Sequence, residues 1–263
     1  MSPRQRLFVL IATGAIALFA YSSVATGQFF PVPQPDPSCP PGQNTIFGTD
    51  GNDVRTGTPA NDVMFAGEGD DVFEGEAGDD CLILGRGIDT GNGGEGADRV
   101  IGWEGDDRLS GSDGDDRMTG QDGNDRVSGG GDNDRLSGGL GDDSISGGTG
   151  RDDASGGSGD DTLSMGGAVD HASGGPGTDT VSGGPQDDRV SGGGGPDRVA
   201  GNSGNDRVGG NGGRDTLIGG AGRDRMVSRG GGTDSVNCGR GRDVAIVDED
   251  DTVSSNCEIV RVG

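Results

Sequence analysis

From Asp53 to Asp224 an aspartate stands at every ninth residue, twenty positions in one phase, and after one extra residue near Arg229 to Gly232 the series resumes at Asp234 and Asp243. A unit of nine residues is too small to bury a face by itself, so such units must stack on their neighbours. Around each aspartate the positions five and two before are mostly glycine, and the position two after is mostly aliphatic, as in Gly156-Gly157-Ser158-Gly159-Asp160-Asp161-Thr162-Leu163-Ser164. Glycine admits positive φ and close backbone approach, so the first six residues of a unit are expected to turn with their carbonyls facing a common point. The last three, such as Arg126-Val127-Ser128, suit a minimal strand whose middle side chain points to one face. Val100, Leu109, Met118, Val127, Leu136, Ile145, Leu163, Val181, Val190, Val199, Val208 and Leu217 then line a narrow interior.

Composition sets a condition on this stack. With 60 glycines, 28% hydrophobic and 3% aromatic residues and a formal net charge of −25, the bare chain lies near the disordered class, because apolar burial cannot offset the ordering entropy. The strict register argues against featureless disorder and for a missing stabiliser. Calcium takes six to eight oxygen ligands, carboxylates and carbonyls alike, and the turn presents both.

The pattern G-G-x-G-x-D-x-U-x over residues 48 to 245 resembles the RTX, or haemolysin-type, calcium-binding nonapeptide. The resemblance implies an all-β fold: a right-handed parallel β-roll, a β-helix solenoid, with two nonapeptides per coil and a C-terminal cap. It also implies multiple Ca2+ ions, each between turns one coil apart, such as Asp98 with Asp116 and Asp107 with Asp125. Carried over unit by unit, the candidate metal ligands are Asp62, Asp71, Asp80, Asp98, Asp107, Asp116, Asp125, Asp134, Asp143, Asp161, Asp179, Asp197, Asp206, Asp215 and Asp224. Some units depart from the pattern: Arg55 and Gly91 replace the inward aliphatic, and Ala60, Ala168 and Gln186 replace a turn glycine. Their sites are expected to be weak or empty. At about 4.8 Å between stacked strands, some eleven coils make a rod on the order of 50 Å long. Ion binding and folding are coupled in such a stack, since the sites exist only once it forms.

The ends differ from the repeats. Arg4 and Arg6, an apolar run from Leu7 to Ala20 and the small residues Ser23-Val24-Ala25 make residues 1–25 an expected secretory signal peptide; an uncleaved anchor is the alternative. Prolines at 31, 33, 35, 37, 40 and 41 make 26–43 an extended linker. The roll is expected over 44–236 and the cap over 237–263. Four cysteines allow three pairings; Cys238 with Cys257, bracketing the tail, and Cys39 with Cys81, bracketing the entrance, are favoured for an exported chain. The tail from Cys238-Gly239-Arg240-Gly241-Arg242-Asp243 through Cys257 and Glu258 resembles an ending of secreted bacterial RTX-like proteins.

Catalysis has little to stand on. His171 is the sole histidine, placed as a strand residue, and no stretch beside the repeats is long enough for an enzyme domain. Arginines directly follow many of the periodic aspartates, as at Arg99, Arg108, Arg117, Arg126 and Arg135, and point outward as a solvated face. The net charge makes nucleic acid an unsuitable partner, and no small-molecule substrate is implied. The expectation is a monomeric, secreted calcium-binding protein that folds outside the cell, with a cell-surface structural or adhesive module, using the calcium-rigidified rod as a stalk or scaffold toward an unidentified cell-surface or extracellular-matrix partner, as the alternative.

Overall fold

A computed structural model describes Cys39 and residues 44–263. The expected signal peptide and most of the expected linker lie outside the described residues. Twenty-five short strands wind alternately into two sheets, the first, third and further odd strands forming a thirteen-stranded sheet and the even ones a twelve-stranded sheet. Every pairing within these sheets is parallel, and through the repeats the register is one coil, as in Arg117 beside Arg135 and Arg126 beside Ser144. The chain is therefore an all-β parallel β-solenoid of about twelve coils. It gains on the expected eleven because the tail strands Val244–Val247, Thr252–Val253 and Ile259–Val262 continue the same two sheets.

The twelve residues expected inside are all buried, in one continuous core cluster. Strand length is where the sequence reading falls short. Each strand spans about six residues, not three: Arg108–Asp113 alternates outward Arg108, buried Leu109, outward Ser110 and buried Gly111. The turn shrinks to Gly114-Asp115-Asp116. The physical reason lies in the backbone, whose N–H groups find carbonyls on the adjacent coils even at the turn. Gly105 N–H donates to the Asp122 carbonyl and Arg117 N–H to the Asp98 carbonyl, both at 2.8 Å. A longer loop would forfeit those bonds.

The two kinds of glycine consequently have different causes. Gly114, two before its aspartate, has φ +126°, and its coil-to-coil approach leaves no room for a Cβ beside the Gly96 carbonyl. At that position Ala168 and Gln186 adopt positive φ regardless, at 112° and 82°, an arrangement that costs roughly 1–3 kcal/mol each. Gly111, five before its aspartate, is an ordinary strand residue, and its reason is space.

Candidate metal columns

The aspartates form two columns, one along each line of turns, and all the periodic ones are buried. From Asp71 onward each uses one carboxylate oxygen to bind the coil before it: Asp98 N–H donates to Asp116 Oδ1 and Asp107 N–H to Asp125 Oδ1, both at 2.8 Å. The structure thus brings together the pairs expected eighteen residues apart. Asp62, Asp71, Asp80, Asp134, Asp143, Asp161, Asp179, Asp197, Asp206, Asp215 and Asp224 stand in the same columns. So do Asp89, Asp152, Asp170 and Asp188, which the candidate set left out.

The columns run past the last regular repeat. Asp215 and Asp224 donate to Asp234 and Asp243, each at 2.8 Å across the one-residue insertion. The last rungs are Asp251, whose Oδ1 accepts from Asp234 N–H at 2.9 Å, and Glu258, whose Oε2 accepts from Asp243 N–H at 2.8 Å. Sequence reasoning missed these two, because their separations from the preceding rung, seventeen and fifteen residues, break the period. The only available signal was that the stack must end on an acceptor for the last N–H. Next to them, Cys238 and Cys257 form the expected disulfide. Cys39 and Cys81 are also disulfide-bonded, and no cysteine among the described residues is free.

At the ends the second oxygen is used, Asp62 Oδ2 accepting from Thr58 N–H and Asp251 Oδ2 from Asp248 N–H, but between them it has no such partner. From Asp71 to Asp243, twenty aspartates keep a buried Oδ2 without a hydrogen-bond partner. Leaving a buried acceptor unmet costs about 1–3 kcal/mol, more for a charged group, so twenty of them demand an explanation. The glycine five residues earlier shows where these oxygens point. A Cβ on Gly183 would stand 2.6 Å from Asp188 Oδ2 and 2.9 Å from the carbonyl oxygen of Gly201, one coil on. A carboxylate and a carbonyl, both acceptors, converge beside a residue that has no side chain. A cation satisfies both at once, whereas a proton or a water molecule would leave the stacked carboxylates without a counter-charge.

Electrostatics agree. Burial pushes the Asp107 carboxyl up to about 7, with Asp89 and Asp125 adding repulsion while the Asp89 N–H bond pulls the other way. Asp116, Asp134, Asp143 and Asp206 are likewise raised to about 7, by burial first. Exposed Asp115 moves downward, because Asn133 donates to it.

The donor set selects the ion. Among the described residues no three His, Cys, Asp or Glu side chains cluster, so a cation here draws on one or two carboxylates and otherwise on backbone carbonyls. That all-oxygen set fits a hard ion such as calcium, and it lacks the nitrogen and sulfur of zinc sites.

Five rungs up to Asp243 differ at the glycine position, the one at Asp234 through the insertion, where Arg229 stands five residues before the aspartate. Ala66, Leu84, Met165 and Cys238, all buried, stand five residues before Asp71, Asp89, Asp170 and Asp243. His171 opens the strand His171–Pro176 beside Asp153 and Arg189, in the outward line where the expectation placed it.

A parallel solenoid with two internal columns of carboxylate and carbonyl oxygens defines a class, the metal-binding repeat proteins. The family model of the RTX calcium-binding nonapeptide repeat (4 copies) matches this chain in eleven segments, most of them overlapping, between residues 41 and 245. The chain belongs to that family, and its repeats bind Ca2+ in multiple copies. No curated protein matches it.

Proposed function

We propose that the protein is a secreted calcium-binding solenoid whose folding is driven by ion binding after export. Each ion sits between turns one coil apart, held by the free Oδ2 of aspartates such as Asp98, Asp107, Asp116, Asp125, Asp134 and Asp143 together with glycine carbonyls. The observation that carries this reading is the row of twenty buried, unpartnered Oδ2 atoms. Without cations, that many buried carboxylates repel one another in a chain with little apolar surface to compensate. With them, the ion-binding free energy becomes folding free energy. Low calcium inside the cell keeps the chain unfolded for export, and the disulfides suit an oxidising destination. Residues 1–25 act as the signal peptide and 26–43 as the linker. The solenoid works as a monomer by binding ions, with no catalytic role.

Far-ultraviolet circular dichroism of oxidised residues 26–263, titrated with calcium and with magnesium as control, tests the coupling. The expected result is a cooperative coil-to-β transition with calcium alone, because magnesium demands rigid octahedral geometry and dehydrates reluctantly. A spectrum unchanged by calcium would overturn it.

A further inference from the structure

The entrance coils are built differently from those in the middle of the stack. Their first two rungs need no ion. Asp53 Oδ2 accepts from the Thr49 N–H at 2.6 Å and from the Thr49 hydroxyl at 2.7 Å, and its Oδ1 pairs with Arg55. Asp62 Oδ2 accepts from the Thr58 N–H at 2.6 Å, and its Oδ1 from Asn44 Nδ2 at 2.7 Å. At Asp71 and Asp89, Ala66 and Leu84 stand where the oxygen-lined gap would open. Among the six rungs up to Asp98, only Asp80 and Asp98 keep such a gap, beside Gly75 and Gly93. Of the fourteen rungs from Asp107 to Asp224, thirteen keep it, the exception being Asp170 with Met165.

Apolar content runs the opposite way. Residues 62–101 bury Met64, Phe73, Leu82, Leu84 and Val100 inside the coils, and Val63, Ile83 and Ile101 on the outward side of their strands. Phe47 stacks on Phe65 in that same outward line, with ring centres 5.4 Å apart. From Leu109 to Val208 the core receives one inward side chain per nonapeptide, with Met165 the one addition, and no outward apolar residue is buried. The far end also seals a rung, since Asp251 Oδ2 accepts from Ser228 and Asp248. Its last inward side chains, Val260 and Val262, nevertheless stay 44% and 57% exposed, and the insertion breaks its register.

Neighbouring coils of the repeats pair at one separation, eighteen residues, so loop closure is equally costly along the stack. Where the stack begins to form is then set by what each coil can stabilise by itself. In the middle coils, carboxylates without protein donors repel one another until ions arrive, and little apolar surface compensates. The entrance coils have their first carboxylates already met and a core of large side chains. We propose that residues 44–104 are the seed of the solenoid, an inference that rests on the calcium reading above: these coils order first and at lower calcium, and the later coils wind onto them toward the C-terminus as their ions bind. A repeat stack grows through contacts between neighbours, and each finished coil offers an N–H, such as that of Asp107, to the carboxylate of the next.

Pulsed hydrogen exchange read by mass spectrometry, on the full oxidised chain after a calcium jump, tests the order. Amides in 62–104 are expected to gain protection before those in 107–224 and 225–262, and at equilibrium to do so at lower calcium. Leu82→Ala and Leu163→Ala remove the same inward leucine, two residues after Asp80 and Asp161, from the seed and from the middle. L82A is expected to slow the rise of β signal roughly tenfold, and L163A to leave that rate within about twofold while speeding unfolding on chelation. Protection that appears first outside 62–104, or everywhere at once, overturns the proposal, as does equal slowing by the two variants. If L82A does not fold, the order of protection in the unaltered chain decides. A β signal and an ion count that calcium leaves unchanged mark failure of the calcium reading instead; folding is then started by dilution from urea, and the same order of protection and the same two variants decide the seed.

Discussion

The rung at Asp116 and the rung at Asp89 look alike in sequence phase and differ in what stands beside the carboxylate. At Asp116 the residue five before is Gly111, and the inward residue two after is Met118; at Asp89 the same positions hold Leu84 and Gly91. The apolar bulk has changed places within one nonapeptide. Leu84 Cδ1 and Val100 Cγ1 each come within 2.9 Å of where a Gly91 Cβ would be, so Leu84 fills the interior that Gly91 leaves. The unit of Asp170 repeats the exchange with Met165 and Ala172, and that of Asp243 with Cys238 and Ala245. Core volume is conserved inside a unit while the space beside the carboxylate is lost. A unit can therefore serve the core through either position, and only the first arrangement keeps the oxygen-lined gap.

The largest test installs the Asp170 arrangement at a regular rung. Gly111→Met puts a Cβ beside Asp116 Oδ2 and 2.7 Å from the Gly129 carbonyl oxygen. The expected outcome is loss of one bound ion by native mass spectrometry and a destabilisation of about 3 kcal/mol or more in calcium, from overpacking and the lost ligand set. Adding Met118→Ala relieves the overpacking and recovers part of the stability, with the ion still missing. Recovery of the ion in the double variant would break the comparison.

That exchange also marks where legibility ended. The aspartate phase and the inward aliphatics could be read directly, because both follow from a fixed period and each has one physical cause. The glycine five before the aspartate could not be read fully, since glycine serves turns and close contacts alike and only the coil-to-coil register separates the two. Gly91 stood out as a gap in the aliphatic series, yet its partner Leu84 lies seven residues earlier and meets it only through the fold. Asp251 and Glu258 were hidden for the opposite reason: their hydrogen bonds keep the column while their spacing abandons it.

The reverse exchange, Leu84→Gly with Gly91→Leu, is expected to open the Asp89 rung and add one calcium to the native mass count. Its effect on stability without calcium is small, because apolar volume is retained. An unchanged ion count would show that something other than the side chain at the glycine position governs that rung.

Acidity separates the two kinds of rung less sharply. Burial raises Asp107, Asp116 and Asp134 to about 7 and Asp89 to about 6. A carboxyl whose folded pKa exceeds its unfolded value of 3.8 makes the folded chain bind more protons between the two values, so ion-free stability is greatest at low pH and is lost as pH rises through about 7. In chelator, β signal is expected to grow from pH 8 to pH 5. In calcium the sense reverses, because protons compete for the same oxygens, and ion affinity falls as pH drops below about 7. A calcium affinity independent of pH between 8 and 5 would contradict the burial of these carboxylates.

The smallest effects come from one substitution made twice. Asp116→Asn keeps an oxygen to accept the Asp98 N–H and removes the anionic oxygen, so one ion is expected to bind more weakly or be lost, lowering stability in calcium by about 1–3 kcal/mol. Asp89→Asn makes the same change where Leu84 already stands at the glycine position; the bond from Asp71 N–H is kept and no ion is at stake. The expected result is an unchanged ion count and a slight gain in ion-free stability, since a buried carboxyl whose charge is disfavoured by desolvation gives way to a neutral amide. Equal ion loss from both variants would mean that Leu84 does not close its rung, and that the columns bind calcium along their whole length.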